Sequence, residues 1–412
     1  MNKIIFILLL LVNSLLANLS TQNDISTLKD LGLEPSFSSE SSFQNIFQEY
    51  SSGSKISYYD NFLKKSSLNV QIVRSEIEKE NLPEAVFFIP LIESSFVNQT
   101  RGKSSPGGLW QIIPQTASSL KLRNDEFVDE RLDLIKSTDA ASSYIKGYYK
   151  KLGKWYLAIL AYNCGEGRVL EGIARASLDR YLELNPHKSD DSRIKSYKIF
   201  ISDYQKTKKG FSNLYEVYNE IGKAEGSYSF EYLIKNNKQK DYIPATSLNY
   251  VQKLIALSII SNRNLFKNID KKSKYELQKV KAPSGLQLKS IANAISMNFE
   301  ELKSINKHIK KQVVPSDSKN YNIYIPNTKL DVYNQKMGNI TVVKDNINVS
   351  KVVETKKNNK INKEKPLIYI IKKGDSLESI AKKHKVSIKK LKIVNNKKSN
   401  LLKIGDKIEI YK

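Results

Sequence analysis

Cysteine and histidine are scarce in this sequence. Of 412 residues, one is a cysteine, Cys164, and three are histidines. A lone cysteine excludes an intramolecular disulfide, so the fold depends on a hydrophobic core, and the length suits two or more domains. Because His187, His308 and His384 lack the close spacing of metal ligands, we predict neither a metal site nor a cofactor.

An apolar run long enough to span a membrane is missing from the N-terminus. Apolar residues from Ile4 to Val12 follow a single lysine, and the small residue Ala17 comes shortly afterwards. This order is typical of a secretory signal peptide, predicted at residues 1–17. The run is shorter than the ~20 residues that cross a bilayer, so we expect membrane contact only if the segment is retained. No cysteine stands near residue 17 to carry a lipid.

Acidic residues are too few to balance the basic ones. The net charge is +25, and residues 351–412 contain 19 lysines against 6 acidic residues. Such an excess favours an anionic partner, for example nucleic acid, a wall polymer or anionic lipid. We predict no nucleic-acid partner, because no such binding motif is present and an exported protein rarely meets nucleic acid. An AT-rich genome gives the same lysine richness, so charge alone does not name the partner.

Runs of alternating apolar and polar residues, which are typical of β-strands, are also missing before residue 320. Residues 66–265 show helical periodicity instead. Four side chains recur on one helix face: Trp155, Ala158, Ile159 and Tyr162. Residues 247–260 form a second amphipathic helix by the same criterion. Residues 18–65, rich in Ser, Asn and Gln, are predicted to be a loosely structured N-terminal lead-in with one or two helices. The predicted fold class is mainly α.

The last third of the chain contains an internal repeat. Eight identical residues recur at a uniform separation of 89 positions, beginning with Gly285 and Gly374. Each copy is predicted to be a small strand–helix–helix–strand (βααβ) module. The copies occupy residues 280–326 and 366–412, and the intervening residues 327–365, rich in Asn, Lys and Val, are predicted to be a linker.

The second copy, with the sequence YIIKKGDSLESIAKKHKVSIKKLKIVN, resembles the LysM module. The resemblance implies that residues 366–412 bind glycans containing N-acetylglucosamine in a shallow groove. The first copy departs from the pattern, since its first strand is weak and Ser316 replaces the glycine found at Gly405. We therefore expect residues 280–326 to be a degenerate LysM-like module that acts as a spacer.

A lone carboxylate, Glu93, follows the apolar residues 85–92. If its carboxyl packs against that apolar surface it loses hydration, which raises its pKa. A carboxylic acid that keeps its proton near neutral pH is the general acid that cleavage of an acetal requires. The alternative is an ordinary glutamate exposed at the end of a helix.

Three motifs follow one another in the chain: Glu93-Ser94-Ser95-Phe96, Gly108-Leu109-Trp110-Gln111-Ile112 and Ala161-Tyr162-Asn163-Cys164-Gly165. Together they resemble the lytic transglycosylases of the Slt, or goose-lysozyme-like, family. Their order, the later segment 249–256 and the LysM modules are most similar to the membrane-bound lytic murein transglycosylase D branch. The resemblance implies a lysozyme-like α-helical catalytic domain within residues 66–265, followed by small βααβ LysM-type modules.

The resemblance also implies roles for individual residues. Glu93 is the expected single acid/base, which cleaves the bond between N-acetylmuramic acid and N-acetylglucosamine in peptidoglycan and yields a 1,6-anhydro sugar without consuming water. The expected substrate-binding residues are Ser94, Gln111, Tyr162 and Asn163, and the Tyr162 hydroxyl is predicted to point at Glu93. Peptidoglycan strands are the expected partner, and the periplasm or cell envelope the expected location.

Several alternatives stay open at this stage. Asp129, Glu130 or Asp139 can supply a second acid, although Asp139 is better interpreted as the start of a helix. Trp110 either stacks on a sugar or packs beneath its loop, and the preceding glycines are expected to let the backbone approach a ligand. A hydrolytic lysozyme and a non-catalytic peptidoglycan-binding protein are the alternative functions.

Overall fold

The computed structural model describes residues 21–224, 227–317, 319–337, 367–388, 391–392, 395 and 402–410. The chain divides into two compact units, with the boundary between Asn348 and Val349. The predicted signal peptide and most of the predicted linker lie outside the described residues. Among the described helices, none is both long and apolar enough to cross a membrane.

Helices make up the first unit up to residue 262, so the prediction of a mainly α fold is confirmed. Their bounds are α1 Gln22–Asp30, α2 Ser41–Tyr50, α3 Gly53–Lys65, α4 Ser67–Lys79, α5 Glu84–Phe87, α6 Ile89–Ser94, α7 Pro114–Ser119, α8 Leu134–Leu152, α9 Trp155–Cys164, α10 Glu166–Leu184, α11 Ser192–Thr207, α12 Phe211–Val217, α13 Phe230–Lys240 and α14 Ala245–Asn262.

Residues 21–65 are not a loosely structured lead-in. Helices α1, α2 and α3 pack into the main core, where Leu28, Phe37 and Phe43 are fully buried. A buried ion pair of 2.6 Å joins Asp24 of α1 to Arg263 at the end of α14. The many Ser, Asn and Gln residues lie largely on exposed helix faces, and a few large apolar side chains at helical spacing are enough to bury the other face.

Two helices that are apolar on nearly all sides form the centre of the core. Residues 156–161 of α9 are all buried, as are most side chains of α14 after Leu248. A helix that is apolar all round is stable only when other elements surround it, and α9 and α14 pack against each other as well as against their neighbours. The amphipathic helix predicted for residues 247–260 is therefore present but almost wholly buried.

The first module completes the first unit. It comprises β1 Leu277–Pro283, α15 Leu288–Ala294, α16 Phe299–Ile305, β2 Asn320–Pro326 and α17 Leu330–Met337, and β1 pairs antiparallel with β2 along its full length. The first strand, predicted to be weak, is thus well formed. The predicted linker also begins too early, because Tyr333 of α17 is buried in this module and donates a 3.0 Å hydrogen bond to the carbonyl of Lys281.

In the part of the second unit that the structure describes, β3 Leu367–Ile370, α18 Leu377–His384 and β4 Lys407–Ile410 surround a small core of their own. The repeated asparagine makes the same contacts in both modules. Asn306 bonds through both ends of its amide to the backbone of Tyr324, and Asn395 does so with Glu409. The side chain therefore fastens the chain around the asparagine to the closing strand in each copy.

Candidate active site

Glu93 lies in the last turn of α6. The residues before it, 85–91, are buried, and the helix ends at Ser95 in the left-handed conformation, with φ of 54°. Phe96 also has a positive φ, 57°, and its ring is fully buried. Bulky residues rarely adopt this conformation, so the turn directly after Glu93 stores backbone strain, which the surrounding packing sustains.

The Glu93 carboxyl is half-buried and accepts one hydrogen bond from a tyrosine. The Tyr250 hydroxyl donates to Glu93 Oε1 at 2.8 Å. Burial raises the pKa of Glu93, and the Tyr250 hydroxyl opposes that rise because it stabilises the ionised form. The direction of the pKa change is the one expected for a carboxyl at the end of an apolar segment.

The prediction that the Tyr162 hydroxyl points at Glu93 is wrong. This hydroxyl donates to the backbone carbonyl of Trp110 at 2.5 Å, so it fixes the neighbouring loop instead. Burial, with the nearby Glu93 charge as a smaller contribution, raises the pKa of Tyr162 well above its usual value. Tyr250 was missed as the partner of Glu93 because it is 157 residues away. The signal available was a tyrosine on an otherwise apolar helix, within a segment already noted for its similarity to the family.

Residues 105–112, which we call the substrate loop, lie beside α6. Ser94 at the end of α6 joins the two, because its hydroxyl lies 2.8 Å from the Leu109 carbonyl. Trp110 is 1% exposed and its indole donates to Thr138 at 3.0 Å, so it packs beneath the loop and does not offer a stacking face. Gln111 has a positive φ of 47°, and its amide nitrogen donates to the Gly108 carbonyl at 2.8 Å.

The two glycines of the substrate loop pack closely against Arg131. A Cβ added to Gly108 would lie 1.8 Å from the Arg131 carbonyl oxygen, and its φ is +79°. A Cβ on Gly107 would lie 3.1 Å from the guanidinium carbon. The Arg131 side chain is buried and donates to the carbonyls of Ser105 and Ile112, at 2.5 and 3.2 Å. Arg131 therefore supports the loop along its length.

Two of the three candidates for a second acid form ion pairs, and the third is exposed. Asp129 forms a buried ion pair of 2.7 Å with Arg131, and Glu130 is paired with Lys136. Asp139 is exposed in the second turn of α8. The prediction that Asp139 starts a helix is also wrong, because Asp133 caps α8 by accepting hydrogen bonds from two backbone amides of the first turn.

Asn163 and Cys164 lie at the end of α9. The Asn163 side chain is exposed, while the Cys164 thiol contacts the Leu160 carbonyl at 3.3 Å within its own helix. The structure thus brings Glu93, Ser94 and Tyr162 together around the substrate loop that carries Gln111. Within the described segments, no three His, Cys, Asp or Glu side chains are close enough to hold a metal ion.

Comparison with known protein families identifies the domains of this chain. Residues 72–181, which contain Glu93, the substrate loop and α9, match the transglycosylase SLT domain. The chain carries an SLT transglycosylase domain. Residues 276–341 match the LysM-like domain of the lytic transglycosylase MltD, and residues 369–410 match the LysM domain.

Individual relatives agree with these domains. The chain is 24% identical over 344 residues to the membrane-bound lytic murein transglycosylase D of Escherichia coli strain K12, and equally to that of strain O6:H1. The aligned region covers 82% of this chain and 62% of each relative. The chain therefore spans about three fifths of the length of these relatives. The resemblance to the Slt family and its D branch, predicted from the three motifs, is confirmed.

Proposed function

We propose that this protein is a peptidoglycan lytic transglycosylase with Glu93 as its single general acid/base. The bond cleaved is the β-1,4 linkage between N-acetylmuramic acid and N-acetylglucosamine. The observation that carries the proposal is the partly desolvated Glu93 carboxyl, held by Tyr250 beside the substrate loop of an SLT domain. Because burial favours the protonated form, this carboxyl is suited to act first as an acid.

The reaction has two proton transfers through the same carboxyl. Glu93 first donates its proton to the glycosidic oxygen, and the bond from the muramic C1 to that oxygen breaks. The resulting carboxylate then accepts the proton of the muramic 6-hydroxyl, whose oxygen forms the new bond to C1. Glu93 is protonated again at the end, the product is 1,6-anhydroMurNAc, and no water is consumed. The Tyr250 hydroxyl stabilises the carboxylate between the two transfers.

A mechanism with a single carboxyl is consistent with the surroundings of Glu93. Ordinary glycosidases use a second carboxylate as the nucleophile or to activate water. In this chain two acidic residues that follow the substrate loop form ion pairs, Asp129 with Arg131 and Glu130 with Lys136. In the family, the N-acetyl oxygen of the substrate is thought to assist at C1, and we propose the same for this protein.

The remaining predicted site residues divide into two groups. We propose that the Gln111 and Asn163 amides contact the N-acetyl groups of the glycan, because both are accessible amides at the edge of the site. The hydroxyls of Ser94 and Tyr162 donate hydrogen bonds to the carbonyls of Leu109 and Trp110. We therefore propose that these two residues position the substrate loop, with any sugar contact made by their other atoms.

The LysM module at residues 369–410 is proposed to bind the glycan strands of the wall. Tethering raises the local concentration of substrate without changing the active site. The excess of lysine in the same tail suits an anionic wall polymer. Location in the periplasm or cell envelope follows as part of this proposal.

Digestion of purified sacculi, followed by mass spectrometry of the products, tests the function. A transglycosylase releases muropeptides that are lighter by one water than those released by a lysozyme. We expect anhydro products from the parent and none from Glu93→Gln, whereas Glu49→Gln, at an exposed glutamate of α2, keeps parental activity. Hydrated products would identify a hydrolytic lysozyme instead. Clearance by Glu93→Gln equal to that of the parent would favour a peptidoglycan-binding protein without this catalytic residue.

A further inference from the structure

The first LysM-type module, residues 276–337, is docked onto the SLT domain through backbone hydrogen bonds. The Asp129 amide donates to the His308 carbonyl at 2.9 Å, and the Lys310 amide donates to the Phe127 carbonyl at 2.9 Å. Val128, between these two contacts, is fully buried in the apolar core of the module. Residues 127–133 of the SLT domain, which we call the docking segment, are therefore held by the module through an antiparallel bridge between Val128 and Ile309.

Side chains from β2 extend the contact along the docking segment. The Tyr324 hydroxyl donates to Asp133 Oδ1 at 2.8 Å, and the Tyr321 hydroxyl donates to Glu130. Asp133 also caps α8, and both Asp133 and Glu130 are almost fully buried. Buried carboxylates need such donors, because a buried charge without a partner is strongly destabilising. The module thus completes polar contacts of the SLT domain, in addition to any role as the predicted spacer.

The docking segment in turn supports the substrate loop. Arg131, paired with Asp129, bonds to the carbonyls of Ser105 and Ile112 at the two ends of that loop. The Gly108 backbone is packed directly on the Arg131 carbonyl. A displacement of the docking segment is therefore passed to the loop that carries Gln111.

A second connection reaches the residues that follow Glu93. Lys307 directly follows α16, and most of its side chain is exposed. Its ammonium group is partly buried and donates a hydrogen bond to the Asn98 carbonyl at 2.9 Å. Partial desolvation of that group lowers the pKa of Lys307. The Asn98 side chain is buried and donates to the Leu132 carbonyl of the docking segment at 2.8 Å. Asn98 lies two residues beyond the strained Phe96, so the lysine fastens the chain directly after the turn that ends α6.

We propose that the docked module is a positioning element of the catalytic unit, and that Lys307 is a positioning residue that holds the Glu93 turn through Asn98. The proposal rests on the function proposed above and deepens it. The module holds the docking segment from one side, and through it the substrate loop and the turn after Glu93. Since a misplacement of about 1 Å lowers catalytic rates by roughly 100-fold, loosening this support lowers kcat.

The test uses the full chain and a soluble substrate, purified uncross-linked glycan strands, for which attachment to the wall is unimportant. Lys307→Met removes the ammonium group and keeps most of the apolar stem, and Lys289→Met on the exposed face of α15 is the matched control. We expect kcat for Lys307→Met to fall at least tenfold with KM within twofold, Lys307→Arg to recover most of the rate, and the control to match the parent.

A second variant covers the case in which Lys307→Met fails to fold. Tyr324→Phe removes only the hydroxyl that reaches Asp133, and we expect a smaller fall in kcat in the same direction. Circular dichroism establishes that each variant is folded, and binding to sacculi is measured in the Glu93→Gln background, where we expect no change. Folded variants that keep the parental kcat would overturn the proposal. A loss of activity that is matched by an equal loss of binding to sacculi would also overturn it.

The two proposals fail in distinguishable ways. If the parent releases no anhydro product from soluble strands, the proposed function itself is wrong. If the parent is active and the interface variants keep the parental rate, the proposed function stands and the proposed positioning role of the module is wrong.

Discussion

Replacing Tyr250 with phenylalanine removes one hydroxyl and leaves the buried ring in place. The lost group is the donor of the 2.8 Å hydrogen bond to Glu93 Oε1. Because that bond stabilises the ionised carboxyl, its loss raises the pKa of Glu93 further in the direction that burial already sets. We therefore expect Glu93 to hold its proton to higher pH in Tyr250→Phe and to be a weaker acid.

The size of the effect follows from the bond and its exposure. A hydrogen bond to a charged group contributes about 1.5–3 kcal/mol, and the lower value applies because Glu93 is only half-buried and water can replace the hydroxyl. Each 1.36 kcal/mol shifts a protonation equilibrium tenfold. The alkaline limb of the kcat/KM profile, where free Glu93 loses its proton, should therefore move up by about one pH unit.

The assay is the release of anhydro product from soluble glycan strands as a function of pH. Tyr232→Phe is the matched control, because it removes a tyrosine–glutamate hydrogen bond of 2.7 Å between α13 and Glu183 of α10, two helices that carry none of the predicted site residues. We expect the control profile to coincide with that of the parent. An alkaline limb for Tyr250→Phe that stays in place or moves to lower pH would refute the role of the Tyr250 hydroxyl in stabilising ionised Glu93.

Three further predictions concern stability and binding. The pKa of Glu93 is raised in the folded protein, so its ionisation destabilises the fold as pH rises above the pKa of the unfolded chain. By calorimetry, Glu93→Gln should melt a few degrees above the parent at pH 7, and the two proteins should melt at the same temperature at pH 4. Gly108→Ala should cost more than about 2 kcal/mol in urea unfolding, because its methyl would meet the Arg131 carbonyl, whereas Gly53→Ala, with open space around it, should be neutral. Trp110→Phe should lower the melting temperature but leave KM unchanged, because the indole packs beneath the loop; a large rise in KM would show sugar contact.

The two modules share a repeated sequence and a repeated asparagine contact. In both, the asparagine side chain bonds to the backbone of the closing strand. In the first module, the residues after α16, from Lys307 to Lys311, are occupied by contacts with the SLT domain. The first copy therefore combines the repeated framework with an interface to the SLT domain.

Local and periodic features were determined by the sequence alone. The apolar residues before Glu93 predict a desolvated carboxyl, and the pKa of Glu93 is raised for that reason. The helix that carries Tyr162 and the duplicated module were equally predictable, since helical periodicity and a uniform offset of 89 residues need no tertiary information. Composition misled at residues 21–65, where polar residues on exposed faces concealed helices that belong to the core.

Only the tertiary structure decided which distant groups meet. Tyr250 contacts Glu93 because α14 and α6 share one core, and nothing local to either helix specifies that pair. The same holds for Arg131 beneath Gly108 and for Lys307 at the Asn98 carbonyl. These contacts depend on how helices and the module pack over long chain separations, whereas a sequence pattern records only which face of each element is apolar.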